Sequence, residues 1–208
     1  MCPRGRRVLA GVVTVIALAA TSSSAAASPT VPSSDPFYSY SGSLDQIAPG
    51  TVLRQRTVTI AESGTSTPIS ATQVLYRTTG QLGQPTATVA TILRPATQPL
   101  VTKLVSYQTA YDALGSQCDP SYTLQGGNSS YATAQDEEQI ILGYLSAGDT
   151  VVVPDYEGER LDWAAGQESG YGTLDGIRAA ESLLGLSPGG TPVGMVGYSG
   201  GSIATDFA

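Results

Sequence analysis

The 208-residue chain contains no histidine. The general-base work of a serine or cysteine nucleophile near neutral pH usually falls to an imidazole, so a hydrolytic site that begins in this sequence does not finish in it. Charge is scarce as well, at 13% of residues, and beyond residue 27 seventeen acidic residues stand against seven basic ones. That balance excludes a phosphate-binding surface and leaves nucleic acid without a case as a partner. Cysteine occurs twice, at Cys2 and Cys118, and with no cluster of Cys and His neither a zinc site nor any other metal or cofactor is expected. What is present is a 41% hydrophobic chain of one ordinary domain's length, enough to bury a core.

The first 27 residues read as a cleavable secretory signal. Arg4, Arg6 and Arg7 make a basic start, residues 8–20 an apolar stretch, and Ala25, Ala26 and Ala27 a small-residue cleavage site. The apolar stretch is too short for a stable membrane anchor. Secretion places the protein in an oxidising compartment, where Cys118, left alone once Cys2 departs, implies a partner outside the chain, an intermolecular bridge or a buried thiol. Residues 28–36, rich in Ser, Pro and Thr, read as a disordered lead-in, with folding from residue 37.

Apolar, β-branched runs bounded by turn residues predict strands over 52–60, 72–79, 86–93 and 100–107. A Gly, Ser and Tyr-rich connection follows. A helix is predicted over 134–147, with Asp136, Glu137 and Glu138 in its first turns, and Gly148 ends it. Residues 150–153 and 193–196 read as short buried strands. Between them, residues 174–184 carry one apolar stripe, Leu174, Ile177, Ala180 and Leu184, with Asp175, Arg178 and Glu181 expected outward. Early strands followed by strand, helix, strand, helix, strand give an α/β class, a mixed and mostly parallel sheet with flanking helices.

The pattern Gly-x-Ser-x-Gly marks a nucleophile elbow, but with 24 glycines it arises easily by chance, and it occurs twice. An elbow needs a strand entering, small residues around a strained serine, and a helix leaving whose first N–H helps bind an oxyanion. Ser187 follows a helix and precedes Pro188, which has no N–H to donate. Ser199 follows the strand 193–196, is flanked by Gly197 and Gly201, and precedes Gly200 and a stretch able to begin a helix. It is the candidate nucleophile. Asp155, Glu157 and Glu159 invite a glycosidase reading, yet no spacing places two carboxylates across a sugar, and the run 157–160 looks like a solvated loop. Asp155 is expected to bond backbone N–H groups. Trp163 and the eleven tyrosines serve either an acyl site or ordinary packing.

The segment ending Gly197-Tyr198-Ser199-Gly200-Gly201-Ser202-Ile203-Ala204-Thr205 resembles the secretory lipases of fungi and actinobacteria, the Candida antarctica lipase A type. So do Asp35-Pro36-Phe37-Tyr38, the stretch from Ser106 to Asp112, Cys118-Asp119-Pro120-Ser121-Tyr122, and Pro154-Asp155-Tyr156-Glu157-Gly158 with Asp175-Gly176-Ile177-Arg178. The resemblance implies an α/β-hydrolase fold, truncated here after the elbow, with residues 37–208 as its N-terminal part. It implies a Ser-Asp-His triad acting on carboxylic esters, including lipid substrates such as acylglycerols. Ser199 matches the nucleophile, Gly200 and Asp112 match the backbone donors of the oxyanion hole, and Cys118 matches a cysteine that pairs with one far downstream. The acid and the histidine would lie outside this chain, which is expected to be inactive alone. A peptidase or non-lipase esterase of the same fold, and a catalytically dead secreted binding domain, are the alternatives.

Overall fold

The computed structural model describes residues 28–61, 68–98, 100–127 and 132–208, so the signal sequence over 1–27 lies outside the described residues. Among them six strands form one sheet: β1 (Val52–Val58), β2 (Ile69–Thr79), β3 (Pro85–Pro95), β4 (Leu104–Gln108), β5 (Thr150–Pro154) and β6 (Val193–Gly197). Their spatial order is β1-β2-β3-β5-β4-β6. The β1–β2, β2–β3 and β3–β5 pairings are antiparallel, and β5–β4 and β4–β6 are parallel. The parallel half carries the site.

Among the described residues four helices accompany the sheet: α1 (Pro120–Thr123), α2 (Ala132–Ser146), α3 (Gly166–Leu184) and α4 (Gly200–Phe207). Strand alternation divides the core. Val151 and Val153 of β5 pack with Leu93, Tyr107, Ile141 and Leu145, the last two from α2. Val152, between them, packs on the other face with Tyr76, Ile92, Leu104 and the α3 residues Ile177 and Ala180. The continuous apolar run of β5 is thus buried on both faces, as its sequence predicts. Among the described residues no helix is long and apolar enough to cross a membrane.

Four expectations are corrected. Residues 28–36 are held against the fold instead of trailing from it: Pro32–Ser34 and Pro36–Tyr38 form single 3-10 turns, and Pro32 is buried. Asp35 between them accepts from Phe37 N–H and pairs with Arg56 at 2.6 Å. α3 begins at Gly166, eight residues before the predicted start, because its early glycines are packing surfaces: a Cβ at Gly170 would meet the Phe207 carbonyl oxygen at 2.5 Å. Asp175 and Glu181 of α3 are buried, not outward. Asp175 accepts from Thr78 Oγ1 at 2.8 Å and from Arg178 at 2.5 Å. β6, predicted as a buried strand, lies at the edge of the sheet that the described residues form, with Val193 and Met195 exposed.

Candidate active site

Tyr198 and Ser199 join the end of β6 to the start of α4. Ser199 has φ 50° and ψ −122°, a combination that costs an L-residue on the order of 1–3 kcal/mol and persists only where the surroundings enforce it. They do so here through two glycines. A Cβ on Gly197 would lie 2.1 Å from the Gly201 carbonyl oxygen, and a Cβ on Gly201 would lie 2.0 Å from that of Gln108. The helix start, the strand end and β4 are therefore in main-chain contact around the serine. Thr205 Oγ1 donates to Gly201 O at 2.8 Å and lies 2.9 Å from the buried Gln108 amide, which ties α4 to β4. Ser199 itself is exposed.

Asp112, just beyond β4, also has positive φ, at 27°. Its Oδ2 accepts from Ser199 Oγ at 3.3 Å, and its Oδ1 accepts from the Trp163 indole N–H at 3.3 Å. Oδ1 also lies 1.6 Å from where a Cβ of residue 200 would stand, so the carboxylate is pressed over Gly200. The three residues singled out in the sequence, Ser199, Gly200 and Asp112, are brought together. Asp112 was singled out for its backbone N–H; its side chain is a further occupant of the same corner. Ser187, the second pattern match, lies in an exposed turn after α3, where its carbonyl accepts from Gly190 N–H at 2.8 Å. The local geometry separates the two serines as the sequence context does.

The segment bearing Asp112 is tied down from several sides. Glu137 of α2 accepts from Ala110 N–H at 2.8 Å, and Glu157 accepts from Ala113 N–H at 3.4 Å. Tyr156 Oη donates to Thr109 O at 2.7 Å, Glu157 N–H donates to Tyr111 Oη at 2.8 Å, and the Tyr111 and Tyr156 rings meet edge to face at 4.9 Å. Both glutamates are buried. Burial raises the Glu137 carboxyl above the usual range, and raises Glu157 to about 7, with Asp112 and Asp155 adding repulsion. Glu157 thus corrects the expectation of a solvated loop over 157–160, which holds only for the exposed Glu159 and Arg160.

Asp155 bonds backbone as expected, but to a distant residue: its Oδ1 accepts from Ser121 N–H at 2.9 Å and its Oδ2 from Ser121 Oγ at 2.5 Å. Tyr38 Oη stands 2.9 Å from the same hydroxyl, and Gln73 donates to Ser121 O at 2.6 Å. This network fixes α1 to the sheet and has no reach to Ser199. Burial raises Asp155, and raises Asp119 further with the help of the Asp155 and Glu157 charges. Cys118 is half-buried at the end of the 3-10 turn Ser116–Cys118.

Trp163 is 57% exposed, between Leu161 and Ala164, both at positive φ. With Leu82, Leu114 and Leu161 it lines a groove of about 440 Å3 beside Asp112's partner indole. The indole lies outside the core. Glu137, Glu157 and the indole N–H contact are site features that sequence reasoning missed. Their contacts cross 27, 44 and 51 residues, and no local pattern signals them.

Residues 125–208 match the family model described as secretory lipase. A Mycobacterium tuberculosis protein named a probable inactive lipase is 45% identical over 186 residues, 86% of this chain and 42% of its own length. Lipase A of Arthroderma benhamiae is 41% identical over 192 residues, 86% of this chain and 40% of its own length. Among solved structures, Candida antarctica lipase A in its closed state superposes with a TM-score of 0.77 at 35% identity, covering 87% of this chain and 42% of that one. The chain therefore spans about two fifths of the length of the relatives it matches.

Proposed function

We propose, for a chain that belongs to the secretory lipase family and has its α/β-hydrolase fold, that Ser199 is the nucleophile of a secreted carboxylic ester hydrolase acting on acylglycerols or related esters. The supporting observation is Ser199 at φ 50° and ψ −122° between β6 and α4, with glycines where no side chain fits. Ser199 Oγ attacks the acyl carbon, and the resulting oxyanion accepts from the backbone N–H groups of Gly200 and Asp112. Collapse expels the alcohol and leaves an acyl-serine that water hydrolyses. Each N–H donor contributes about 3 to 4 kcal/mol at the transition state.

The ester carbonyl oxygen and the Asp112 carboxylate compete for one corner, so substrate entry turns that carboxylate away from Gly200. The 208 residues hold no histidine, and in this reading the imidazole that activates Ser199, its orienting acid and the disulfide partner of Cys118 come from outside them. Residues 1–27 direct secretion.

A second reading, a secreted domain of the same fold without catalysis, is favoured by the name of the mycobacterial relative. An alkyl phosphonate, which mimics the tetrahedral intermediate, separates the two when applied to the full-length gene product. The hydrolase reading expects one label on Ser199, lost in Ser199→Ala and kept in Ser187→Ala. A folded protein that takes no label, or takes it elsewhere, overturns that reading in favour of the non-catalytic domain.

A further inference from the structure

We propose that Glu137 and Glu157 are positioning residues, which hold segment 110–113 from both sides and thereby aim the Asp112 backbone N–H at the oxyanion formed on Ser199. The inference rests on the reading of Asp112 as an oxyanion donor and goes beyond it in naming what fixes that donor.

Asp112 has φ 27°, in the region that disfavours a side-chain-bearing residue. Such a residue relaxes unless its neighbours are over-determined. Here the residue two before it, Ala110, donates its N–H to Glu137 Oε2 at 2.8 Å, and the residue after it, Ala113, donates to Glu157 Oε2 at 3.4 Å. The two acids come from different places, Glu137 from α2 and Glu157 from the turn that follows β5. Burying a carboxylate is costly unless an N–H or O–H compensates it. Each of these is buried and gives an oxygen to the Asp112 segment, and Glu137 also accepts from Tyr107 Oη at 3.3 Å. Tyr111 adds a second tie on the Glu157 side, because its hydroxyl accepts from the Glu157 N–H while its ring meets that of Tyr156. Removing either acceptor frees one side of the segment while the elbow and its serine stay in place, since Gly197 and Gly201 fix the elbow through contacts in which neither glutamate takes part. The lost quantity is aim, not affinity.

Steady-state hydrolysis of a short p-nitrophenyl ester by the full-length gene product tests this. Glu157→Ala and Glu137→Ala should each lower kcat about 30- to 100-fold, the scale of a misplacement near 1 Å, with KM within about twofold. Glu157→Gln, whose amide oxygen still accepts from Ala113 N–H, should stay within about fivefold of wild type. Glu157→Asp, which withdraws the acceptor by one methylene, should lose activity as the alanine variant does, and it decides the matter if the alanine variants fail to fold. Alanine or aspartate variants that melt like wild type and keep its kcat overturn the proposal, and so does a loss confined to KM. Ser199→Ala measured alongside separates the two layers. If it retains turnover, the reading of the site has failed; if it is dead while the glutamate variants are fully active, only the positioning role has.

Discussion

The main chain around Ser199 leaves no space at position 201, and Gly201→Ala converts that fact into a number. The new Cβ would stand 2.0 Å from the Gln108 carbonyl oxygen and 3.2 Å from that of Thr109. Both are backbone atoms and neither can rotate away, so the first turn of α4 and the end of β4 must part by about 1 Å to restore ordinary contact. Ser199 lies two residues before the substitution and Asp112 four residues after Gln108, so the displacement falls on the distance between the proposed nucleophile and the proposed oxyanion donor. A shift of that size costs about 10²-fold in rate, and overpacking costs about 1–3 kcal/mol of stability. For a domain of this size the second figure corresponds to a drop in Tm of several degrees. Gly143, exposed on α2, supplies the control, because a Cβ added there would have nothing within 4 Å. The assay is kcat/KM on a p-nitrophenyl ester together with Tm, both on the full-length gene product. Gly143→Ala should keep the wild-type rate and melt at or slightly above the wild-type temperature. A Gly201→Ala protein with wild-type rate and melting temperature would refute the reasoning, because the contact would then have relaxed without moving the site.

Two further outcomes follow from groups away from Ser199. Glu157 titrates near 4.5 when unfolded and about 7 when buried in the fold, so between those values the folded state holds a proton that the unfolded state releases. Stability should therefore fall as pH rises through that window and level off above it, by about 3 kcal/mol for this one group. Urea midpoints at pH 5 and pH 8 should show the slope in wild type and a shallower one in Glu157→Gln; equal slopes would sink the assignment. Arg56 pairs with Asp35 at 2.6 Å and lies over the Phe37 ring at 4.1 Å, so Arg56→Ala should cost about 1–2 kcal/mol and speed proteolytic cleavage within 28–36. Unchanged cleavage would mean that other contacts hold the segment.

The strands were legible because each carries its own record: β-branched runs with turn residues at both ends, and in β5 a run apolar on both faces because both faces are covered. The start of α3 was not. Gly166, Gly170 and Gly172 carry low intrinsic helix propensity, whereas in the fold Gly166 and Gly170 admit Phe207 at distances a side chain would block. Asp175 fails as a surface residue for a similar reason. Its helical position says outward only if the neighbouring element is unknown, and Thr78, 97 residues earlier, supplies the hydroxyl that makes burial tolerable.

The candidate site divides along the same line. Everything that makes Ser199 distinctive lies within a dozen residues: the entering strand, the small flanking residues, the leaving helix. Ser187 could be set aside by the same local test. Asp112 needed more, since its position beside Ser199 follows from the parallel pairing of β4 with β6, which no single segment records. Glu137 and Glu157 lie one step further out, for their contribution is an acceptor offered to a backbone N–H, and any carboxylate on any element could make that offer. Chemistry that requires a special backbone leaves a mark in sequence because few residues tolerate the backbone. Chemistry that requires only a hydrogen-bond acceptor at a given point leaves none, and becomes visible when the fold shows a buried acid with one oxygen spent on the main chain of the site.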